Sequence, residues 1–256
     1  MPWNPDVYNS FKDIRNKPFY DLLSFIKPID NMKVIDIGCG TGEQSAIMAQ
    51  TFFSSTVLGV DSSEEMLEKS NQYRATNLSF QKATIEEVAI RESKWDLLFS
   101  NAALQWSDDH HKLFPRLLGH LNPNGQFAVQ MPVQTENILN KILLTLAKEK
   151  PFAVYLQGWH RDSPLLGIDD YTQMLFDAGL VNLRIEQRVY PIVANDHETL
   201  FNFISGSALI PYLERLNGRE AVLFVEEFKK RIEEAFPKLP TIYAFKRLLL
   251  YGQLPA

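Results

Sequence analysis

The apolar positions of this chain change period along its length, and the changes divide it. Phe11, Phe19, Leu22, Leu23 and Ile26 fall on one helical face across residues 5–27, ahead of Pro28, and predict an N-terminal helix. Short apolar runs then alternate with helical patterns: strand 33–37, helix 42–52, strand 56–60, helix 63–75, strands 78–82 and 95–100, helix 108–120 and strand 125–131. Near-continuous apolar strands separated by helices predict a parallel sheet covered on both faces, an α/β fold. Ser62 or Ser63 can cap the helix over 63–75, and Asn122-Pro123-Asn124-Gly125 is a turn leading into a strand.

Beyond Pro132 the alternation breaks. Residues 135–150 form a lone amphipathic helix, followed by an irregular aromatic stretch from Pro151 to Gly167, so 133–167 reads as an inserted helical cap. A helix over 168–178 stopped by Gly179, a strand over 181–190, helices near 196–206 and 218–236 and a strand near 241–251 complete the chain. The expected organisation is one domain over 1–256, with seven strands. It comprises an N-terminal helix in 1–29, a core in 30–132, the cap in 133–167, and a return to the core with additional helices in 168–256.

Composition narrows the class. With 256 residues, 45% hydrophobic and 22% charged, the chain suits one large α/β domain or a domain with a sizeable insertion. No apolar run approaches the roughly 20 residues that span a bilayer. The start, Met1 to Asp6, lacks a basic segment followed by an apolar one, so a cytoplasmic protein without membrane attachment is expected. The single Cys39 excludes an internal disulfide and a thiolate metal cluster, and no metal is expected. A net charge of −5 gives no overall attraction to nucleic acid, and Lys229-Lys230-Arg231 lies among Glu226, Glu227, Glu233 and Glu234 as a solvated helix face. The expected partner is a small molecule, met by a monomer.

The chemistry concentrates in Val34-Ile35-Asp36-Ile37-Gly38-Cys39-Gly40-Thr41-Gly42, a buried strand running into a glycine turn and then a helix, with Asp61 at the tip of the next strand. Glycines remove Cβ atoms where the chain turns sharply and where a ligand lies against the main chain, and an acid in the position of Asp61 accepts ribose hydroxyls. A dinucleotide fingerprint needs a third glycine at position 43, where a pyrophosphate meets the helix N-terminus. Position 43 is Glu, which repels phosphates, and Asp36 adds a second negative charge facing the same ligand. A phosphate-free, cationic nucleoside meets these demands, and S-adenosyl-L-methionine is such a molecule. A nicotinamide-dependent dehydrogenase is the enzyme rival, disfavoured by Glu43.

The Val34–Gly42 motif with Asp61 resembles motif I and its acidic partner in the class I S-adenosylmethionine-dependent methyltransferases. That likeness covers roughly residues 30–132 and implies a doubly wound, seven-stranded, mostly parallel Rossmann-like sheet, with S-adenosyl-L-homocysteine as the product. Further segments resemble the trans-aconitate methyltransferases within that superfamily: Trp3-Asn4-Pro5, Tyr8, Phe11, Arg15, Pro18, Asn101 to Trp106, His110, Leu113-Phe114-Pro115, Leu121-Asn122-Pro123 and Gln130-Met131-Pro132. The resemblance implies that Gly38, Cys39 and Gly40 contact the amino-acid end of the cofactor, Asp61 its ribose, and Ser62 and Met66 the ribose and adenine surroundings. It puts Ala83, Thr84 and Ile85 beside the adenine, and Asn101 and Ala103 on the methionine side. Tyr8 and Arg15 would close over the cofactor. Two departures stand out: Thr84 replaces an acid common at that position, and Ile210 replaces an Arg within Ala208-Leu209-Ile210-Pro211-Tyr212. Losing a guanidinium removes a bidentate partner for a carboxylate, while Arg247 matches a family Arg in the last strand.

The expected reaction is O-methylation of a carboxylate on a small organic acid. A carboxylate is already ionised at neutral pH and needs no base. A phenol, amine or carbon acid would want one, and His110, His111 and His160 are available, His110 alone having a family match. Gln105 and Trp106 follow the fourth strand, at the carboxyl edge where ligands bind in open α/β folds, and are expected as acceptor-pocket walls together with Trp3 and Tyr212. Trp159, His160 and Arg161 are either a lid on that pocket or a cluster that merely packs. A catalytically silent cofactor-binding module is the alternative from another class.

Overall fold

A computed structural model describes the chain from Lys12 to Ala256, with side chains described from Asn16 onward. Helix α1 (Lys12–Leu23) precedes β1 (Lys33–Ile37), α2 (Glu43–Thr51), β2 (Thr56–Asp61), α3 (Glu64–Ser70), β3 (Leu78–Lys82), α4 (Ile85–Ile90), β4 (Trp95–Asn101), α5 (His110–Leu118) and β5 (Leu121–Pro132). There follow α6 (Ile138–Lys148), α7 (Phe152–Tyr155), α8 (Ile168–Asp177), β6 (Val181–Ala194), α9 (His197–Ser205), α10 (Ile210–Leu213), α11 (Gly218–Ala235) and β7 (Thr241–Gln253).

The seven strands form one sheet in the order β3-β2-β1-β4-β5-β7-β6. Ladders β1 with β2, β1 with β4, β2 with β3 and β4 with β5 are parallel, while β7 runs antiparallel to β5. Connections proceed outward from β1 through β2 to β3, then return to β4 on the other side of β1. That reversal makes the carboxyl ends of β1 and β4 a topological switch point, where open α/β sheets bind ligands. β1 is buried along all but its first residue, as a strand covered on both faces must be.

Three short helices depart from the sequence expectation. No element is expected between the strands at 78–82 and 95–100; α4 there is held by a capping box, in which Thr84 Oγ1 accepts from Glu87 N–H and Glu87 Oε2 accepts from Thr84 N–H. The four-residue helices α7 and α10 are also additions. All three are too short for a 3.6-residue period to show. Ser63, not Ser62, caps α3 by accepting from Met66 N–H. Gly179 ends α8 with φ +80°.

The chain divides into two compact units. One comprises Lys17–Pro132, Pro164–Arg188 and Arg247–Ala256; the other includes Val133–Ser163 and Val189–Lys246. Residues 133–167, set apart on sequence as a cap, therefore do not stand alone: most of them group with the C-terminal helices. The reason is a shared apolar core. Leu139, Leu143 and Leu146 of α6 pack with Phe201 and Ile204 of α9, Phe224, Phe228 and Ile232 of α11, and Tyr243 of β7. Among the described residues, no helix is long and apolar enough to cross a membrane.

In the first unit, one aromatic side chain sets the local shape of the glycine turn. A side chain at Gly42 would meet the Phe80 ring at 2.7 Å, and one at Gly59 would meet it at 2.6 Å. Gly42 also holds φ +79°, a region that strains any other residue. Gly42→Ala is expected to lower unfolding free energy by about 1–3 kcal/mol in urea titrations. Trimming the ring with Phe80→Leu in that background should recover part of the packing loss, so that the double variant is less destabilised than the sum of the singles.

Candidate functional site

The site is built where β1, β2 and β4 end, entirely within the first unit. Gly38, Gly40 and Gly42 all take positive φ, at 76°, 54° and 79°. The N–H groups of Gly38 and Cys39 both donate to Val60 O, at 2.8 and 3.0 Å, and Gly42 N–H closes the turn on Cys39 O at 3.0 Å. The turn thus folds back onto β2. A side chain at Gly38 would collide with Ala103, so the segment after β4 lies directly on bare backbone. At Gly40 a side chain would meet nothing within 4 Å among the described residues, leaving space over the main chain for a ligand.

Asp61 is the hub of this turn. Its Oδ2 accepts from Gly40 N–H at 2.9 Å and its Oδ1 from Ser63 N–H at 2.9 Å. Each carboxylate oxygen retains acceptor capacity for a ligand hydroxyl. Ala83 N–H donates to the Asp61 backbone carbonyl at 3.0 Å, which brings the Ala83-Thr84-Ile85 segment to the same edge. Thr84 Oγ1 already accepts one bond as the α4 cap, so it can take only one more. Ser62 and Met66 are exposed at the start of α3.

Asp36 is 2% exposed and accepts from Ser45 Oγ at 2.5 Å. Burial raises its pKa to about 7; the Ser45 hydrogen bond opposes the rise and the charge of Asp61 adds to it. This corrects the expectation of a fixed second negative charge: near neutrality Asp36 is about half protonated in the free protein, and a cation beside it would ionise it. Burial, and then the charges of Asp36 and Asp61, push the Cys39 thiol far up, so it stays a protonated filler of the turn.

Beyond β4, Asn101 Nδ2 donates to Gln44 Oε1 at 2.9 Å, while Asn101 Oδ1 is buried with no hydrogen-bond partner among the described residues. A buried acceptor of this kind calls for a ligand or solvent donor. Ala102 then takes φ +58°, turning the chain so that Ala103 follows against Gly38. Gln105 is buried and donates to Ala102 O at 2.7 Å, and Trp106, 39% exposed, is accessible. Arg247 is buried and donates through Nη1 to Gln130 Oε1 at 2.5 Å.

Two expected site residues are placed otherwise. His110, the candidate base, is 1% exposed with both ring nitrogens engaged: Nδ1 with Tyr171 OH at 2.5 Å, Nε2 with Leu104 O and Ser107 O at 3.0 and 3.1 Å. Burial lowers its pKa. It cannot take a proton from an acceptor in this arrangement. Tyr212, expected as an open pocket wall, is a core residue of the second unit, stacked on Phe224 with its hydroxyl accepting from Arg161 N–H at 3.2 Å. Trp159 packs edge-on to Tyr212, and the guanidinium of Arg215 lies 3.8 Å from the Trp159 ring, so these residues form a packed cluster. His160 pairs with Asp162 at 2.9 Å, and His111 is exposed. Trp3 and Tyr8 lie outside the described residues, as does the side chain of Arg15.

Four supporting residues escaped the sequence reading: Ser45, Gln44, Glu86, which hydrogen-bonds Ser107, and Tyr171. The Thr84-x-x-Glu87 capping pattern was visible in the sequence and would have placed Glu86 on a helix. The other three act through pairings nine to 61 residues apart, which no local pattern reports.

Comparison with known proteins agrees with this geometry. The family described as a methyltransferase domain matches residues 29–179, more than half of the chain. Trans-aconitate 2-methyltransferase of Deinococcus radiodurans is 40% identical over 261 aligned residues, covering 100% of this chain and 99% of its own. The enzyme of that name from Variovorax paradoxus is 29% identical over the full length of both. Among solved structures, a phosphoethanolamine N-methyltransferase from Haemonchus contortus, in complex with S-adenosylhomocysteine, shares the fold at a TM-score of 0.59 and 17% identity. It aligns with 94% of this chain, which spans about half (53%) of its length. An S-adenosylmethionine-dependent methyltransferase from Mesorhizobium loti superposes with a TM-score of 0.52 at 17% identity, covering 93% of this chain and 97% of that one.

The state of Asp36 makes a signed prediction. A cationic cofactor favours the ionised carboxylate, so affinity for S-adenosylmethionine should be level above about pH 7 and weaken by up to about tenfold per pH unit below it. The free protein should show the opposite trend in stability: with its folded pKa raised, Asp36 contributes most below about pH 4, and that contribution is lost as pH rises through about 7. Calorimetric titrations and melting curves across this range check both. Asp36→Asn should flatten both dependences.

Proposed function

Because this chain belongs to the class I S-adenosylmethionine-dependent methyltransferases, we propose that it methylates a carboxylate oxygen of a small organic acid of the trans-aconitate kind. When bound, the cofactor supplies an electrophilic methyl group on a sulfonium. Asp61 would take the ribose hydroxyls, Gly38, Cys39 and Gly40 the amino-acid end, and Asp36 would supply negative charge near the ammonium. Asn101 and Ala103 would line the methionine side, and Ser62, Met66, Ala83, Thr84 and Ile85 the adenine side. The open space over Gly40 and the unpartnered Asn101 Oδ1 support this assignment.

What remains for the protein is positioning. In-line displacement needs the acceptor oxygen held about 3 Å from the methyl carbon, and an oriented encounter supplies most of the rate. Trp106 and Gln105 would hold the acceptor at the sheet edge, and Arg247 would offer charge to one carboxylate. The observation that carries the choice of acceptor is His110. The one histidine with a family match has both nitrogens committed inside the protein, which favours an acceptor that is ionised without help. The intact turn with Asp61 speaks against a silent module. Ile210 in place of a family Arg leaves fewer cations for a tricarboxylate, so the proposal is for the acid class, with trans-aconitate as the first compound to try. It includes a cytoplasmic monomer acting on a small molecule rather than on nucleic acid, in keeping with a net charge of −5.

Incubation with labelled cofactor and a panel of carboxylic acids, phenols and amines, read by mass spectrometry, should yield methyl esters of acids alone. Methylation confined to amines or phenols would overturn the acceptor assignment. Arg247→Lys should raise KM for a polycarboxylate about tenfold while leaving cofactor affinity within about twofold, because Lys keeps charge but loses the planar fork.

A further inference from the structure

We propose that His110 and Tyr171 are positioning residues that set the acceptor wall formed by Gln105 and Trp106. The inference rests on the placement of those two residues at the acceptor side, proposed above.

The geometry is specific. Leu104–Trp106 is a single turn of 3-10 helix, and the carbonyls of its first residue, Leu104, and of Ser107 just after it converge on His110 Nε2 at 3.0 and 3.1 Å. Carbonyls only accept, so Nε2 carries the proton and Nδ1 accepts a hydrogen bond from the Tyr171 hydroxyl at 2.5 Å. The Tyr171 oxygen in turn accepts from Leu166 N–H at 3.3 Å. Phe114 packs against both rings, with centroids 5.2 Å from His110 and 5.0 Å from Tyr171, so neither ring can rotate freely. The turn is tied on a second side by Ser107, whose hydroxyl meets Glu86 of α4. The short segment that ends at the exposed Trp106 is therefore fixed from α5, α8 and α4. A displacement of about 1 Å in a residue that aligns the acceptor can cost about 100-fold in rate. Burial favours the neutral imidazole that this relay requires.

The test uses the full chain carrying His110→Ala, His110→Gln or Tyr171→Phe. Steady-state kinetics with trans-aconitate and cofactor titration are measured for each. Cofactor Kd should stay within about twofold in all three, since the glycine turn and Asp61 are untouched. kcat/KM for the acid should fall about 10- to 100-fold in His110→Ala, through both KM and kcat, and about fivefold in Tyr171→Phe. His110→Gln should restore most of the loss, because an amide N–H can reach the same carbonyls. Equal inactivity of His110→Gln and His110→Ala with normal Tyr171→Phe would identify a proton-transfer role and overturn the proposal. A lowered melting temperature with unchanged kcat/KM in all three would overturn it as well. Should His110→Ala fail to fold, the other two variants decide. If the wild type methylates no acid, the acceptor assignment fails separately, and amide hydrogen exchange then decides the positioning role. Faster exchange over residues 102–107 in Tyr171→Phe, with residues 38–42 unchanged, supports it; unchanged exchange over 102–107 overturns it.

Discussion

The hydrogen bond from Gly40 N–H to Asp61 Oδ2, 2.9 Å long, joins the end of the first strand to the end of the second, and the rest of the site is arranged around it. It requires the main chain to turn sharply after Ile37, which three left-handed glycines allow and bulkier residues would resist. It requires β1 and β2 to be parallel neighbours in register, Ile37 opposite Val60, so that the turn and the acid meet. It also spends only part of the carboxylate's acceptor capacity. Sheet order, glycine placement and Asp61 are three expressions of one geometric condition.

Charge then selects among the nucleosides that such a turn can hold. Asp36 sits buried beneath the turn with its pKa raised to about 7, so in the free protein it is poised between neutral and ionised. A ligand with an ammonium and a sulfonium beside it would convert it to the charged form and gain from doing so. A pyrophosphate would meet that carboxylate, Asp61 and Glu43 together. The thiol of Cys39, held protonated by burial and by the same acids, contributes bulk without charge. The charge at the turn thus suits a cationic donor, while the proposed acceptor wall, Gln105 and Trp106, follows Ala103, which packs onto the turn at Gly38.

The division between donor and acceptor follows how much could be read from sequence. The strands of the sheet and the glycine turn were legible because a buried parallel strand is a local apolar run and a positive-φ turn leaves glycines behind. The antiparallel pairing of β7, a strand that the apolar pattern does place, and the two-unit grouping were not, since both depend on contacts between segments far apart in the chain. His110 shows the limit most clearly. Its family match made it the candidate base, and only its pairing with Tyr171, 61 residues away, reveals a buried structural role. Helix α4 was missed although Thr84 and Glu87 carry a recognisable capping pair, because six residues are too few for periodicity to outweigh the strands on either side.

We propose the turn and Asp61 as the site for a phosphate-free cationic nucleoside. Calorimetric titration of the wild type and of Asp61→Asn with S-adenosylmethionine, S-adenosylhomocysteine and NADH tests it most directly. The first two should bind, NADH should show no measurable binding, and affinity should be about 10- to 100-fold weaker in Asp61→Asn, the loss expected when hydrogen bonds to a charged acceptor are weakened. Binding of NADH as tight as that of S-adenosylmethionine, or an Asp61→Asn variant with wild-type affinity, would contradict it.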